Sequence, residues 1–129
     1  MRKKYFILIS LLMTISIIAS CSTGTTGNID DVLKKAKKEG KVVMLEIGSV
    51  GCVPCDMMKP VMEKLSNQYR GKIEVVFIDI KFDRKAVSRF GVYMIPTQVF
   101  LDKNGKEFYR HIGYLTYEEI VPVLKKAGI

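Results

Sequence analysis

Two cysteines, in the run Cys52-Val53-Pro54-Cys55, stand at the seam between a short apolar stretch and a helical pattern, and this seam constrains the fold more than any other feature. Before it, residues 42–47 (Val-Val-Met-Leu-Glu-Ile) are mostly apolar and β-branched without alternation, as expected of a strand buried on both faces. After it, Met58, Val61, Met62 and Leu65 recur on one face of a helix over 53–69, with Pro60 expected to kink it. A second apolar run over 74–80 (Val75, Val76, Phe77, Ile78, Ile80) completes a strand, helix, strand unit whose strands are expected to be parallel and buried.

The rest of the pattern extends this unit in both directions. Ile29, Val32, Leu33 and Ala36 mark a helix over about 30–39, stopped by Gly40. Asp83 caps a short helix over 83–90 that Gly91 closes. Residues 97–101 and 107–111 flank Asn104-Gly105, which best tolerates the positive φ angles of a two-residue hairpin turn, so an antiparallel hairpin is expected. A last helix begins at Thr116, with Glu119 completing a capping box and Tyr117, Ile120, Val121 and Leu124 turned inward; Pro122 sits awkwardly inside it. The order predicts an α/β fold: a central mixed β-sheet, first a parallel crossover and then an antiparallel hairpin, with helices on both faces. No repeat and no second domain is visible.

The cysteine spacing carries the chemistry. A C-x-x-C pair between a buried strand and a helix start reads as a redox pair. Cys52 at the helix N-terminus meets unpaired N–H groups and the positive end of the helix dipole, so its thiol is expected to ionise below the reference value of about 8.5 and to be the attacking sulfur. Cys55, nearly one turn further, can close a disulfide with Cys52 or attack a mixed disulfide formed there, which makes it the resolving sulfur. Pro54 suits the first turn because its missing N–H has no partner to lose, and its fixed φ stiffens the loop with Val53. Metal is not expected, since structural zinc needs about four ligands and only Cys52, Cys55, Cys21 and His111 are on offer. Covalent haem needs a histidine after the second cysteine, where Asp56 stands. Met57, Met58 and Met62 read as filler; Met94, beside Ile95-Pro96, is the methionine placed to pad a substrate surface.

The first 20 residues are laid out as an export signal: Arg2, Lys3 and Lys4, an apolar run over 5–19, then small residues. The run is short against the ~20 apolar residues of a membrane span, but no further charge occurs before Asp30, so an uncleaved segment is the alternative. Ile18-Ala19-Ser20-Cys21 resembles the lipobox of bacterial lipoproteins, with Ile18 where Leu is more usual. The resemblance implies that Cys21 carries lipid after cleavage; the alternative is an ordinary signal followed by a stray cysteine. Residues 22–28 are small and polar and read as a flexible tether. The expected organisation is a signal over 1–20, lipidated Cys21 and tether over 21–29, and one domain over 30–129. Such a chain is exported and lipid-anchored to a bacterial membrane, facing the periplasm or the cell exterior.

Charge excludes little beyond this. The whole chain carries +8, which falls to +5 without Arg2, Lys3 and Lys4. The remaining lysines are scattered over helix faces (Lys34, Lys35, Lys37, Lys38; Lys125, Lys126), which suits solvent and an anionic lipid surface, and no nucleic-acid partner is expected.

Gly51-Cys52-Val53-Pro54-Cys55 with Pro60 five residues on, Phe90-Gly91-Val92, Ile95-Pro96-Thr97, Lys103-Asn104-Gly105-Lys106 and Gly113 follow one another in an order that resembles the thioredoxin family over nearly all of 30–129. The resemblance implies a thioredoxin fold, and a cis Ile95-Pro96 bond lying against the sulfur pair, with Met94 and Ile95 beside a bound substrate chain. A proline that merely starts an edge strand is the alternative. It also implies that Glu46, six residues before Cys52, is a buried acid relaying a proton to Cys55, with its pKa raised by desolvation; a structural acid is the other reading.

By the same resemblance the chain needs no cofactor beyond its redox-active Cys52-Cys55 disulfide. It is expected to act as a monomer on protein disulfides or dithiols, and, because no soluble nucleotide-dependent reductase is expected outside the cytoplasm, to draw electrons from a membrane thiol-electron transporter. Proline inside the pair and Ile95 before Pro96 resemble reductases more than oxidases or isomerases, so a reductase is the favoured direction, with oxidase, isomerase or a non-catalytic binding module as alternatives. Three departures stand out: Gly51 replaces the usual tryptophan, Asp56 the usual basic residue, and Phe77 a lysine that some relatives place near the buried acid.

Overall fold

The computed structural model describes residues 28–129. The signal segment, Cys21 and residues 22–27 of the tether lie outside the described residues. Helix α1 (Ile29–Lys38) starts one residue earlier than its pattern predicts, because the Asn28 side chain accepts from the Asp30 N–H at 3.1 Å and caps it there. Then follow β1 (Val42–Gly48), α2 (Val53–Gln68), β2 (Ile73–Asp79), α3 (Arg84–Arg89), β3 (Thr97–Leu101), β4 (Glu107–Ile112) and α4 (Tyr117–Lys126).

The strands form one sheet in the order β2-β1-β3-β4. β1 runs parallel to β2 and antiparallel to β3, and β3 pairs antiparallel with β4, which is the mixed arrangement expected. Every residue of β1 and β3 is buried. β2 is not the fully buried strand its apolar run suggests: it lies at a sheet edge, so Val75 and Val76 are only partly covered and Phe77 is exposed.

Alternation along β1 splits the core in two. Val43, Leu45 and Ile47 meet Ala36 of α1, Ala86 of α3, Ile78 and Val99 on one face. Val42 and Met44 meet Met58, Val61 and Leu65 of α2, Ile120, Val123 and Leu124 of α4, and Phe100 on the other. In α4 the buried residue is Val123 rather than Val121, which is only partly covered. The helix opens with the expected capping box: Thr116 Oγ1 accepts from the Glu119 N–H, and Glu119 Oε2 accepts from the Thr116 N–H at 2.9 Å. Both α2 and α4 run through their prolines, Pro60 and Pro122, which lie on exposed faces of the helices.

The hairpin turn differs from the two-residue form expected. The Asp102 N–H donates to the Lys106 carbonyl and the Asp102 carbonyl accepts from the Gly105 N–H, both at 2.8 Å, so residues 103–105 close it. Gly105 takes φ 81° while Asn104 stays at negative φ. Asp102 is the cause: its Oδ1 accepts from the Asn104 and Lys106 N–H groups at 2.9 Å each, which starts the turn earlier and leaves one left-handed position for glycine.

Candidate active site

Cys52 is the N-cap residue of α2, in extended conformation, with Val53 and Pro54 opening the helix. Its carbonyl accepts the first helical bond, from the Asp56 N–H at 2.9 Å. Cys55 lies in the first turn, joined to Cys52 by a disulfide across a Cα–Cα distance of 5.2 Å. The two sulfurs are not equivalent: Cys52 is half-buried, whereas Cys55 is 2% exposed. Cys52 is thus the sulfur that can be reached from outside, at a helix N-terminus of the kind that favours a thiolate.

Burial of Cys55 depends on a residue with no signal of its own in the sequence. A Cβ on Gly48 would stand 3.0 Å from Cys55 Sγ, 3.2 Å from Cys55 Cβ and 3.3 Å from Phe77 Cε2, so any side chain there would crowd the sulfur unless its neighbours gave way. Glu46, two residues earlier on the same face of β1, has no exposed surface. Burial pushes its carboxyl up to about 7, partly offset by a hydrogen bond that Gln98 Nε2 donates to Glu46 Oε2 at 2.9 Å. Gln98 faces Glu46 across the β1–β3 register, as Phe77 does across β1–β2. Neither Gln98 nor Gly48 stands out by sequence reasoning, because only strand pairing brings them to the acid and the sulfur.

The loop before Cys52 is tied to the end of β2. Asp79 Oδ2 accepts from the Val50 N–H at 3.2 Å, Asp79 Oδ1 accepts from the Lys81 N–H at 2.9 Å, and Lys81 Nζ donates to the Val50 carbonyl at 2.9 Å. Gly51 takes φ 86°, which turns the chain from this tie into the helix.

On the other side stands the Met94-Ile95-Pro96 segment, and the Ile95-Pro96 bond is cis. Thr97 Oγ1 donates to the Met94 carbonyl at 2.6 Å, and the Pro96 carbonyl accepts from the Gly113 N–H at 2.8 Å. The register sets Thr97 opposite Ile47, so Pro96 comes level with Gly48, against which the Cys55 sulfur rests. Pro96 is buried, Ile95 partly covered and Met94 64% exposed. Met94 thus offers an apolar contact surface, as do Val50 and Val53 in and after the cysteine loop. Met58 is a core residue, Met62 packs against the core, and Met57 is exposed on α2. His111 lies on β4 opposite Gln98, its Nε2 3.2 Å from the Tyr114 carbonyl. Among the described residues, no group of three or more His, Cys, Asp or Glu side chains is arranged to hold a metal ion.

A family model described as a thioredoxin-like domain matches residues 29–128. Thioredoxins of Staphylococcus aureus are 29% identical over 91 residues, covering 70% of this chain and 86% of the relative. Among solved structures, Fasciola hepatica thioredoxin superimposes with a TM-score of 0.67 at 21% identity, covering 77% of this chain and 90% of that one. A malaria-parasite thioredoxin-2, described as a component of the parasite's protein secretion machinery, gives a TM-score of 0.63 at 23% identity, covering 67% of this chain and 82% of that one. The structural likenesses concern the fold alone.

Proposed function

This chain belongs to the thioredoxin-like domain family, and we propose that it is a lipid-anchored, extracytoplasmic member that reduces disulfides in other proteins through Cys52 and Cys55. That it is a protein thiol-disulfide oxidoreductase follows from the family and from the cysteine pair joined as a disulfide. The single observation that carries the direction of attack is the asymmetry of the pair: Cys52 is reachable at a helix N-terminus, and Cys55 is sealed beneath it.

In the reducing cycle the Cys52 thiolate attacks one sulfur of a substrate disulfide, whose S–S bond breaks, and the released substrate thiolate takes up a proton. Cys55 loses its proton to Glu46 and attacks the Cys52 sulfur of the mixed disulfide. The second substrate thiolate leaves, and the Cys52–Cys55 disulfide forms. Two electrons have passed to the substrate. Glu46 suits the proton step because its carboxyl, held near 7 by burial, exchanges a proton close to neutral pH. Met94, Ile95 and Pro96 form the surface beside which the substrate chain lies, and Gly51, Val53 and Pro54 shape the loop that presents Cys52.

Export and anchoring rest on the first 21 residues: a basic start, an apolar run and the lipobox-like Ile18-Ala19-Ser20-Cys21. A membrane thiol-electron transporter is the reductant such a location calls for, and the domain works as a monomer on its tether. Among the described residues no helix is long and apolar enough to cross a membrane. Replacing Cys21→Ser is expected to release the chain from the membrane fraction and to remove the lipid mass from its N-terminal peptide.

Insulin-disulfide reduction compared with that of Cys52→Ser tests the enzyme, and equal rates would leave a binding module in its place. The equilibrium with glutathione tests the direction, since ~30 mV corresponds to ~1.4 kcal/mol of preference between the oxidised and reduced pair. A potential near that of strong oxidants would make the chain an oxidase or isomerase.

A further inference from the structure

The Gln98 side chain is fully buried, yet it carries an amide on a strand whose other residues are apolar apart from Thr97. Its nitrogen has two hydrogens and both are engaged. One is donated to Glu46 Oε2 at 2.9 Å, the other to the Gly113 carbonyl at 3.0 Å. A backbone carbonyl only accepts, so Gly113 sets which way the amide faces and Glu46 always meets its nitrogen. Gly113 itself is placed by its N–H, which donates to the Pro96 carbonyl at 2.8 Å, with φ 98°, a conformation that favours glycine. The bonds therefore run from Pro96 through Gly113 and Gln98 to the acid.

The two oxygens of Glu46 differ as a result. Oε2 accepts from Gln98, while Oε1 is buried and has no hydrogen-bond partner among the described residues. We infer that Gln98 is a positioning residue for Glu46, holding Oε2 as a fixed acceptor so that the exchangeable proton resides on Oε1. The inference rests on the reading of Glu46 as the proton acceptor for Cys55. In that step the Cys55 S–H bond breaks and an Oε1–H bond forms, and the Cys55 thiolate then attacks the Cys52 sulfur.

The surroundings leave this task to Gln98. β2 presents Phe77 to Glu46, α2 brings Cys55 to the neighbouring Gly48, and β3 supplies the amide. His111 of β4 stands one strand further off, beside Gln98. Burial and the Gln98 bond are the influences resolved on Glu46, acting in opposite directions, with burial the larger. Losing the amide removes the one that favours the carboxylate.

The test uses the oxidised full chain in detergent micelles, following by NMR the Glu46 carboxyl carbon and the Gln98 side-chain amide signals across the pH range. In the wild type the two are expected to titrate together, with a midpoint near 7. In Gln98→Met, which keeps the length and removes the donor, the Glu46 midpoint is expected to move up by about one unit. The pH profile of mixed-disulfide release by Cys55 is expected to move with it. An unmoved Glu46 midpoint in Gln98→Met overturns the inference, as do wild-type Gln98 amide signals that ignore the titration of Glu46. Should Gln98→Met fail to fold, the wild-type amide signals decide alone. If the Glu46 midpoint moves while the release profile stays in place, the relay role of Glu46 falls and the positioning by Gln98 stands.

Discussion

The two faces of β1 are built on different terms. Facing α1 and α3, Val43, Leu45 and Ile47 are apolar without exception and at most 2% exposed. Facing α2 and α4, Val42 and Met44 are followed by Glu46 and then Gly48, so the apolar row gives way to an acid and a missing side chain as the strand approaches the cysteines. Both halves are equally buried, but one gains stability from burial and the other spends it. A carboxyl group at zero exposure is held there against desolvation, and a glycine in a strand gives up packing so that a sulfur can lie against the backbone. The lesson is that the site is a local breach in one layer of the core, supported by an intact layer behind it.

Truncation of the intact layer is the sharpest way to break this contrast. Leu45→Ala leaves a cavity where no group can follow it inward, and a loss of ~2–5 kcal/mol in denaturant unfolding is expected, with the rate of attack by Cys52 unchanged in molecules that remain folded. A slowed attack at equal folded fraction would show that the two faces are not separable.

On the other face, replacing the acid is expected to stabilise the protein in a pH-dependent way. The Glu46 carboxyl is raised from 4.5 to about 7, so the native state holds its proton more tightly than the unfolded chain. The contribution is fully present below about pH 4.5 and lost as pH rises through about 7. Oxidised Glu46→Gln is therefore expected to exceed the wild type by on the order of 3 kcal/mol at pH 8 and to match it near pH 4. An equal difference at both pH values would mean that the gain has another source. The same substitution is expected to slow release of the mixed disulfide.

Gly48→Ala puts a Cβ 3.0 Å from a sulfur that the disulfide holds in place. A destabilisation of ~1–3 kcal/mol in the oxidised form is expected from the overpacking. A smaller loss after reduction, when Cys55 is free to turn away, would locate the clash at the sulfur. Lys81→Met removes an exposed bond to the Val50 carbonyl and is expected to cost under ~1 kcal/mol by thermal melting. A larger loss would make the tie at β2 a main support of the cysteine loop.

Much of this was legible in the chain itself. The buried run at 42–47, the helix after Cys52 and the Thr116 capping box are short-range signals, and each is realised in β1, α2 and α4. The Cys52–Cys55 pair was legible for the same reason, since three residues of helix bring two sulfurs together wherever the helix goes. The hairpin was placed correctly but its turn was not, because Asp102 competes for the same N–H groups through its side chain. The apolar run of β2 suggests full burial, because apolar residues alone do not say whether a strand lies inside a sheet or at its edge.

The sequence by itself determined the elements, their order and the reactive pair, because these depend on contacts within a few residues. Only the tertiary structure decided that Gln98 would meet Glu46 across 52 positions, that Gly48 would give way to Cys55, and that Gly113 would orient the amide. Those contacts depend on strand register and on the height at which α2 crosses the sheet, and both are settled by the packing of the whole chain at once.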